Sequence, residues 1–203
     1  MDETRVLLDC DFCNMITEIN SERIDSRKIL EKVITAIGKT PYIHEYLIKQ
    51  ELFYNQIIQE FVQNGKIRIL KYSEITNNGK NKQIYEDTFA EYFYTMNYED
   101  FSFEKYKCDC FNFRKEKFNL GEIHSLIAAR FLEIPLFYSN DNGARSLAKK
   151  YDTQDSVVKL ISGLDLMIEY KDADIFDRNT RRAIFKKYEK AHWKEQYNKV
   201  VKE

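Results

Sequence analysis

Short apolar runs alternate along the chain with longer segments whose apolar residues recur at helical spacing. The apolar runs from Arg5 to Asp9, Ile67 to Leu70 and Pro135 to Tyr138 predict buried strands. Pro41 to Ile43 and Ser156 to Val158 are shorter extended segments. Because strands alternate with helices at this spacing, we expect βαβ units around a mostly parallel sheet, an α/β fold.

The segments between these strands predict helices with one buried face. They are Phe12 to Ile19, Asp25 to Ile37, Glu45 to Gln63, Asn119 to Glu133, Asp141 to Lys150, Leu160 to Ile168 and the charged tail from Asn179 to Lys202. Residues 72–118 are rich in Tyr and Phe, with a helix predicted from Ile84 to Met96, and no linker flanks them. We therefore expect one domain over residues 1–170 with an insertion at about 72–118. A C-terminal helical extension over residues 171–203 would pack on the same domain.

The charge balance of the chain does not indicate a partner. The 203 residues include 32 basic and 33 acidic side chains, which gives a net charge of −1. Bulk electrostatics therefore predicts neither a nucleic-acid nor a membrane partner, and a polyanion would have to be held by a local basic patch. The sequence shows no signal peptide and no apolar run long enough to span a bilayer, so we expect a cytoplasmic protein with no membrane contact.

The four cysteines occur as Cys10-x-x-Cys13 and Cys108-x-Cys110. Two C-x-x-C pairs would favour zinc, but the second pair has a different spacing. Buried reduced thiols are the preferred interpretation, with zinc or a disulfide as the alternatives.

Acidic residues follow two of the predicted strands and begin one of the predicted helices. Asp9 and Asp11 follow the first strand, Asp141 follows Pro135 to Tyr138, and Glu122 opens a helix. Ligands of parallel α/β sheets bind outside the carboxyl ends of the strands, and carboxylates gather where a hard cation is held. Each acid has an ordinary alternative as a helix cap, or for Glu122 as part of a capping box. Independent caps, however, would have no reason to converge on one edge of the sheet.

Four segments carry a resemblance to PIN domains. They are Val6-Leu7-Leu8-Asp9-Cys10-Asp11, the helix start Leu120-Gly121-Glu122, the strand and turn Pro135 to Asp141 with Ala144-Arg145 after it, and Tyr42 to Leu52. The resemblance implies a three-layer α/β/α fold and a nuclease that depends on Mg²⁺ or Mn²⁺ and usually cleaves RNA. Many members of the family are the toxins of toxin–antitoxin pairs. A toxin role, an antitoxin partner and a homo-oligomer are therefore options that the sequence leaves open.

Carried over residue by residue, the resemblance assigns an acidic quartet and several accessory positions. The quartet is Asp9, Glu51, Glu122 and Asp141, of which Asp9, Glu122 and Asp141 would hold the metal; Asp11, Ser139, Asn140 and Glu45 are accessory. Glu45 competes with Glu51 for the second acid. On one continuous helix the two side chains would lie roughly 120° apart, so they are not expected to share a site. Glu51 is preferred because it lies next to the buried face of that helix.

A nuclease also needs cations to hold the phosphates of a single-stranded RNA. The candidates are Arg145, Lys149 and Lys150 after Asp141, and Arg114 and Lys117 before Glu122. Solvated helix faces are the alternative for these residues.

Two other functions fit parts of the same pattern. A PIN-like domain with an impaired site would act as an RNA-binding or scaffold module. Asp9-Cys10-Asp11 also resembles the first motif of haloacid-dehalogenase-like phosphatases, where Asp9 would be a nucleophile. The second spaced acid of that family is missing after Asp141.

Overall fold

The fold is known from a computed structural model that describes residues 5–19, 24–115, 118–153, 157–170 and 175–188, with side chains of the last range described through Phe185. The strands are β1 (Arg5–Leu8), β2 (Thr40–His44), β3 (Arg68–Leu70), β4 (Leu136–Tyr138) and β5 (Lys159–Ile161). The helices are α1 (Cys10–Thr17), α2 (Ser26–Ile37), α3 (Glu45–Gln50), α4 (Gln56–Gln63), α5 (Tyr72–Ile75), α6 (Gly79–Asn97), α7 (Phe103–Tyr106), α8 (Leu120–Phe131), α9 (Asn142–Tyr151), α10 (Gly163–Glu169) and α11 (Arg178–Tyr188).

The five strands form one sheet in the order β3-β2-β1-β4-β5, and every pairing is parallel. Leu7 of β1 lies opposite Tyr42 of β2 on one side and Phe137 of β4 on the other. The chain adds β2 and β3 on one side of β1 and then returns to add β4 and β5 on the other. The strand order therefore reverses between β1 and β4, which is where open α/β sheets leave a crevice at the carboxyl ends of their strands.

Helices cover both faces of the sheet, which confirms the predicted three-layer α/β/α architecture. Val6 and Leu8 point into one core with α1, α2, α4, α10 and α11, and Leu7 points into a second core with α6, α8 and α9. This alternation follows from the period of two along a strand. All three side chains are almost completely buried, as expected for a parallel strand covered on both sides.

The insertion contributes most of the aromatic rings in the second core. Tyr85, Phe89, Tyr92 and Phe93 of α6 are buried there. The hydroxyl of Tyr85 also hydrogen-bonds Nδ1 of the buried His124 at 2.7 Å. These rings therefore belong to the core of the main sheet.

The predicted helix from Glu45 to Gln63 is wrong, because the chain forms two helices separated by residues 51–55. The backbone N–H of Leu52 bonds to the carbonyl of Leu47 at 2.8 Å, one residue beyond helical spacing. The side chain of Asn55 then accepts from the N–H of Ile58 and starts α4. The helical spacing of apolar residues continues through residues 51–55, so the break between the two helices does not show in the sequence pattern.

The strand predicted at Ser156 to Val158 is also wrong, since β5 begins at Lys159 and Ser156 lies outside the described residues. The helix predicted from Leu160 to Ile168 begins only at Gly163, where a capping box starts α10. The hydroxyl of Ser162 accepts from the N–H of Asp165, whose carboxylate accepts from the N–H of Ser162. Residues before this cap remain extended and pair with β4.

The tail was predicted as a helix from Asn179 to Lys202, and its described part is α11. Ile184 and Phe185 of α11 are buried in the first core. The remainder of that prediction lies outside the described residues. In the described chain, no helix combines the length and the apolar character needed to cross a membrane.

Candidate functional site

Asp9 lies at the carboxyl end of β1, directly beside β4, and is completely buried. Its backbone N–H donates to the carbonyl of Tyr138 at 2.9 Å. One carboxylate oxygen accepts from the N–H of Cys10 at 2.9 Å and caps α1, while the other accepts from the hydroxyl of Ser139 at 2.7 Å. The capping alternative is thus correct for Asp9, but it does not exclude a site, because the same side chain is tied to the end of β4.

The turn after β4 fixes the remaining acids of this edge. The hydroxyl of Ser139 accepts from the N–H of Asp141 at 3.1 Å, and the carboxylate of Asp141 accepts from the N–H of Ala144 at 2.7 Å, capping α9. The N–H of Asn140 donates to Asp11 at 3.1 Å. Asp9, Asp11 and Asp141 are therefore held around one short turn, with Ser139 bonded to two of them.

Glu51 and Glu122 meet where the end of α3 touches the start of α8. Glu51 caps the carboxyl end of α3, and its carboxylate accepts from the N–H of Gly121. A Cβ on Gly121 would lie 2.6 Å from Oε1 of Glu51 and 2.3 Å from Cδ2 of Leu47. Only glycine allows this approach, and Glu122 follows it directly. No sequence pattern other than the resemblance to PIN domains indicates this glycine.

The pKa shifts of these carboxyls indicate that the acids lie near one another. Burial, followed by the charge of Glu122, raises the pKa of Asp9 well above its ordinary value. Burial, followed by the charge of Glu51 and more weakly those of Asp141 and Asp11, raises the pKa of Glu122 to about 8. Burial and Asp11 likewise raise the pKa of Glu51. The structure therefore brings together the acids of the predicted quartet, with Asp11 beside them.

The donor chemistry of this cluster fits a hard divalent cation, although its geometry is not that of a closed metal cage. In the part of the chain that the structure describes, no three His, Cys, Asp or Glu side chains converge as a ready-made metal site. Mg²⁺ is usually held by one or two carboxylates together with waters and substrate phosphates. Mutually repelling carboxylates at a sheet edge are suited to that mode, since a cation relieves the repulsion.

A thiol borders the cluster, which the sequence pattern did not anticipate. Burial, followed by the charge of Glu51, raises the pKa of Cys10, so this side chain remains a neutral thiol at physiological pH. All four cysteines are free, and Cys13 and Cys110 are buried. These positions agree with the preferred interpretation as reduced thiols.

The side chains of two accessory candidates, Glu45 and Asn140, bind partners outside the group of acids. Glu45 forms an ion pair with Lys49 at 2.5 Å and accepts from the N–H of Tyr72 at 3.0 Å. Burial alone would raise the pKa of Glu45, but these two partners outweigh it and lower the pKa. The side-chain oxygen of Asn140 accepts from the N–H of Gly163 at 2.7 Å, which ties the turn to α10. Of the two alternatives for the second acid, the structure places Glu51 with the other acids.

Most of the predicted phosphate-binding cations do not line the site. Arg145 contacts Asp165 at 3.6 Å and the carbonyl of Leu160 at 3.3 Å. Lys149 and Lys150 lie in the last turn of α9, roughly 12 Å along the helix from its capped end. Lys117 lies outside the described residues.

Arg114 is the exception, because it borders a cleft that also contains site acids. The cleft has a volume of about 540 Å³, and its lining includes Glu51, Glu122, Arg114, Lys115 and Phe118. The guanidinium of Arg114 lies 4.8 Å from the ring centre of Tyr46 and donates to the carbonyls of Phe111 and Phe113. The ammonium of Lys115 lies 4.3 Å from the ring centre of Phe118. The cleft thus joins negative and positive side chains.

Comparison of the chain with protein-family models, curated proteins and solved structures found no match. A functional assignment therefore depends on the chemistry of the acids at the β1–β4 edge and of the cleft beside them.

Proposed function

We propose that the protein is a nuclease that uses Mg²⁺ or Mn²⁺ to hydrolyse phosphodiester bonds of RNA. The observation that carries the proposal is the group of carboxyls at the sheet edge between β1 and β4, where burial and then mutual repulsion raise the pKa values of Asp9, Glu51 and Glu122. Folding a protein around such repulsion is costly unless a cation binds there. The choice of RNA as substrate comes from the resemblance to PIN domains.

Asp9, Glu122 and Asp141 are the side chains that would hold the cation. When bound, it would neutralise charge on the phosphate and supply an activated water as nucleophile. Ser139 orients the carboxylate of Asp9 by its 2.7 Å hydrogen bond. Gly121 lets Glu51 approach the start of α8, where burial and then the charge of Glu51 raise the pKa of Glu122 to about 8. A bound cation would favour the deprotonated form of Glu122.

The test is cleavage of mixed RNA in Mg²⁺, in Mn²⁺ and in excess EDTA, with the wild type beside Asp9→Asn and Asp141→Asn. Both substitutions keep the size of the side chain and an oxygen acceptor. Glu45→Gln is the matched control, since this acid is paired with Lys49. We expect the wild type and the control to cleave RNA in Mg²⁺ or Mn²⁺ but not in EDTA. We expect no cleavage by Asp9→Asn or Asp141→Asn in any of the three buffers. Equal activity in all samples would eliminate the proposed site.

A non-catalytic RNA-binding module is the second candidate. The observation that favours it is that the described residues hold no preformed group of three metal ligands. Calorimetric titration of the purified protein with Mn²⁺ separates the two candidates. RNA binding without any heat of metal binding would support the module, whereas saturable binding that Asp9→Asn removes would support the nuclease.

A further inference from the structure

Two large aromatic rings are exposed on the loop that carries Glu51 into the site. Phe53 is 66% exposed and Tyr54 is 55% exposed, and their ring centres lie 5.5 Å apart in an edge-to-face arrangement. Exposed aromatic faces of this kind are the platforms on which proteins stack unpaired nucleobases. The loop connects α3 to α4, so the rings belong to the main domain.

The aromatic loop is held in place beside α1. The hydroxyl of Tyr54 accepts from the side-chain amide of Asn14 at 3.2 Å, and the same nitrogen lies 3.4 Å from the sulfur of Cys10. The next residue, Asn55, is buried and donates to Asn14 at 2.9 Å and to the hydroxyl of Thr17 at 2.7 Å. Since the thiol of Cys10 neighbours Glu51, these contacts place the rings close to the acids. A loop fixed in this way loses little entropy when a ligand stacks on it.

The two cations of the cleft line it together with Glu51 and Glu122, and the charge of Lys115 also acts on Glu99. Among the described residues, neither Arg114 nor Lys115 forms an ion pair with a carboxylate. The backbone carbonyls and the ring of Tyr46 instead hold the guanidinium at the rim of the cleft. A held guanidinium and a neighbouring ammonium, next to a site that would hold a divalent cation, are suited to a phosphate group.

We propose, building on the nuclease function above, that the substrate is a single strand bound at two points around the acids. One backbone phosphate is bound by Arg114 and Lys115 in the cleft, and one unpaired base stacks on Phe53 and Tyr54. A paired base has both faces covered within its duplex, so it cannot use such a platform. The two features together select single-stranded nucleic acid over a duplex.

The base platform is tested by equilibrium binding in EDTA, where no hydrolysis occurs, with labelled RNA of about 12 nucleotides, a range that such surfaces accommodate. The ligands are a single strand, a strand of the same length with abasic riboses, and a hairpin duplex. Phe53→Leu/Tyr54→Leu is compared with Phe103→Leu/Tyr94→Leu, whose rings are 63% and 53% exposed on α7 and α6. Tyr54→Phe keeps the ring and removes only the hydroxyl.

We expect the first double variant to bind the single strand roughly tenfold more weakly or worse. Its affinity for the abasic strand should be unchanged, and the control pair should bind like the wild type. Tyr54→Phe should lose less affinity for the single strand than the double variant, because it keeps the ring and loses only the hydroxyl with its bond to Asn14. An unchanged affinity for the single strand, or an equal loss with the abasic strand, would overturn the base platform. Tight binding of the duplex by the wild type would overturn selection of a single strand.

The phosphate contact is tested with Arg114→Ala/Lys115→Ala. The control is Lys39→Ala/Lys159→Ala, at the amino ends of β2 and β5, away from the acids. Loss of two phosphate contacts should lower the slope of log affinity against log salt by about 1.4 for a single strand, for abasic and normal strands alike. A slope equal to that of the control would refute the contact. Because binding is measured without a divalent cation, an absence of cleavage in Mg²⁺ would count against the nuclease function alone.

Discussion

Replacing Glu122 with glutamine should stabilise the metal-free protein at high pH. Burial and the neighbouring acids raise the pKa of Glu122 from 4.5 to about 8. A carboxyl whose pKa is higher in the folded state than in the unfolded state binds its proton more tightly when folded. Its destabilising effect is therefore absent below the unfolded pKa, grows from there, and is complete above about pH 8.

The size of the effect follows from the displacement of the pKa. At 1.36 kcal/mol for each pKa unit, a change from 4.5 to about 8 corresponds to an upper limit of about 5 kcal/mol. Glu51 shares the same repulsion and has a raised pKa of its own, so we expect about 2 kcal/mol for Glu122 alone. Glutamine keeps the shape of the side chain and removes the charge.

The assay is urea unfolding in EDTA at pH 5, 7 and 9. Wild type and Glu122→Gln should have similar free energies of unfolding at pH 5, and the variant should be more stable at pH 9. Glu45→Gln is a control with the opposite sign, because Lys49 and Tyr72 lower the pKa of Glu45. This substitution should cost up to about 1 kcal/mol at pH 9. Parallel loss of stability in wild type and Glu122→Gln between pH 5 and 9 would refute the reasoning.

Three further outcomes are expected. Gly121→Ala should cost about 1–3 kcal/mol in urea unfolding and abolish cleavage, because its Cβ would displace Glu51; Gly79→Ala, which has open space, should do neither. Ser139→Ala should cost about 1–3 kcal/mol because it removes a donor from the buried carboxylate of Asp9, and an unchanged free energy of unfolding would show that this bond is dispensable. Saturating Mg²⁺ should raise the melting temperature at pH 8, by an amount equivalent to about 2.7 kcal/mol at 100 times Kd, and identical melting with EDTA would contradict metal binding.

The positions of Asp9 and Asp141 could be predicted because they depend on local pattern alone. Each follows a short buried strand, and parallel strands place their carboxyl ends at the same edge. That β1 and β4 are direct neighbours is consistent with the same expectation. The strand order itself, which sets the reversal between them, is a property of tertiary packing.

The position of Glu51 could not be derived from periodicity. The angular separation expected between Glu45 and Glu51 holds only on a helix that continues past Glu51, whereas the helix ends there. The break is stabilised by contacts of Asn55 with Asn14 and Thr17 on α1, which are 41 and 38 residues away. The preference for Glu51 over Glu45 agrees with the structure, but the physical reason is the loop and the contact with Gly121.

The basic residues that lie beside the acids could not be predicted from local sequence pattern either. Sequence proximity to Asp141 favoured Arg145, which the structure pairs with Asp165. Arg114 reaches the acids only because the end of the insertion folds back beside α3, where it packs on Tyr46. No local pattern in the insertion indicates that return, since its aromatic residues are needed for the core in any case.

We propose that acids from distant parts of the chain surround one divalent cation. The most direct measurement is a crystal structure of the protein grown in Mn²⁺, with an anomalous difference map. We predict a strong peak coordinated by carboxylate oxygens of Asp9, Glu122 or Asp141, and its loss in crystals of Asp9→Asn. A well-ordered crystal saturated with Mn²⁺ that shows no peak at the β1–β4 edge would contradict it.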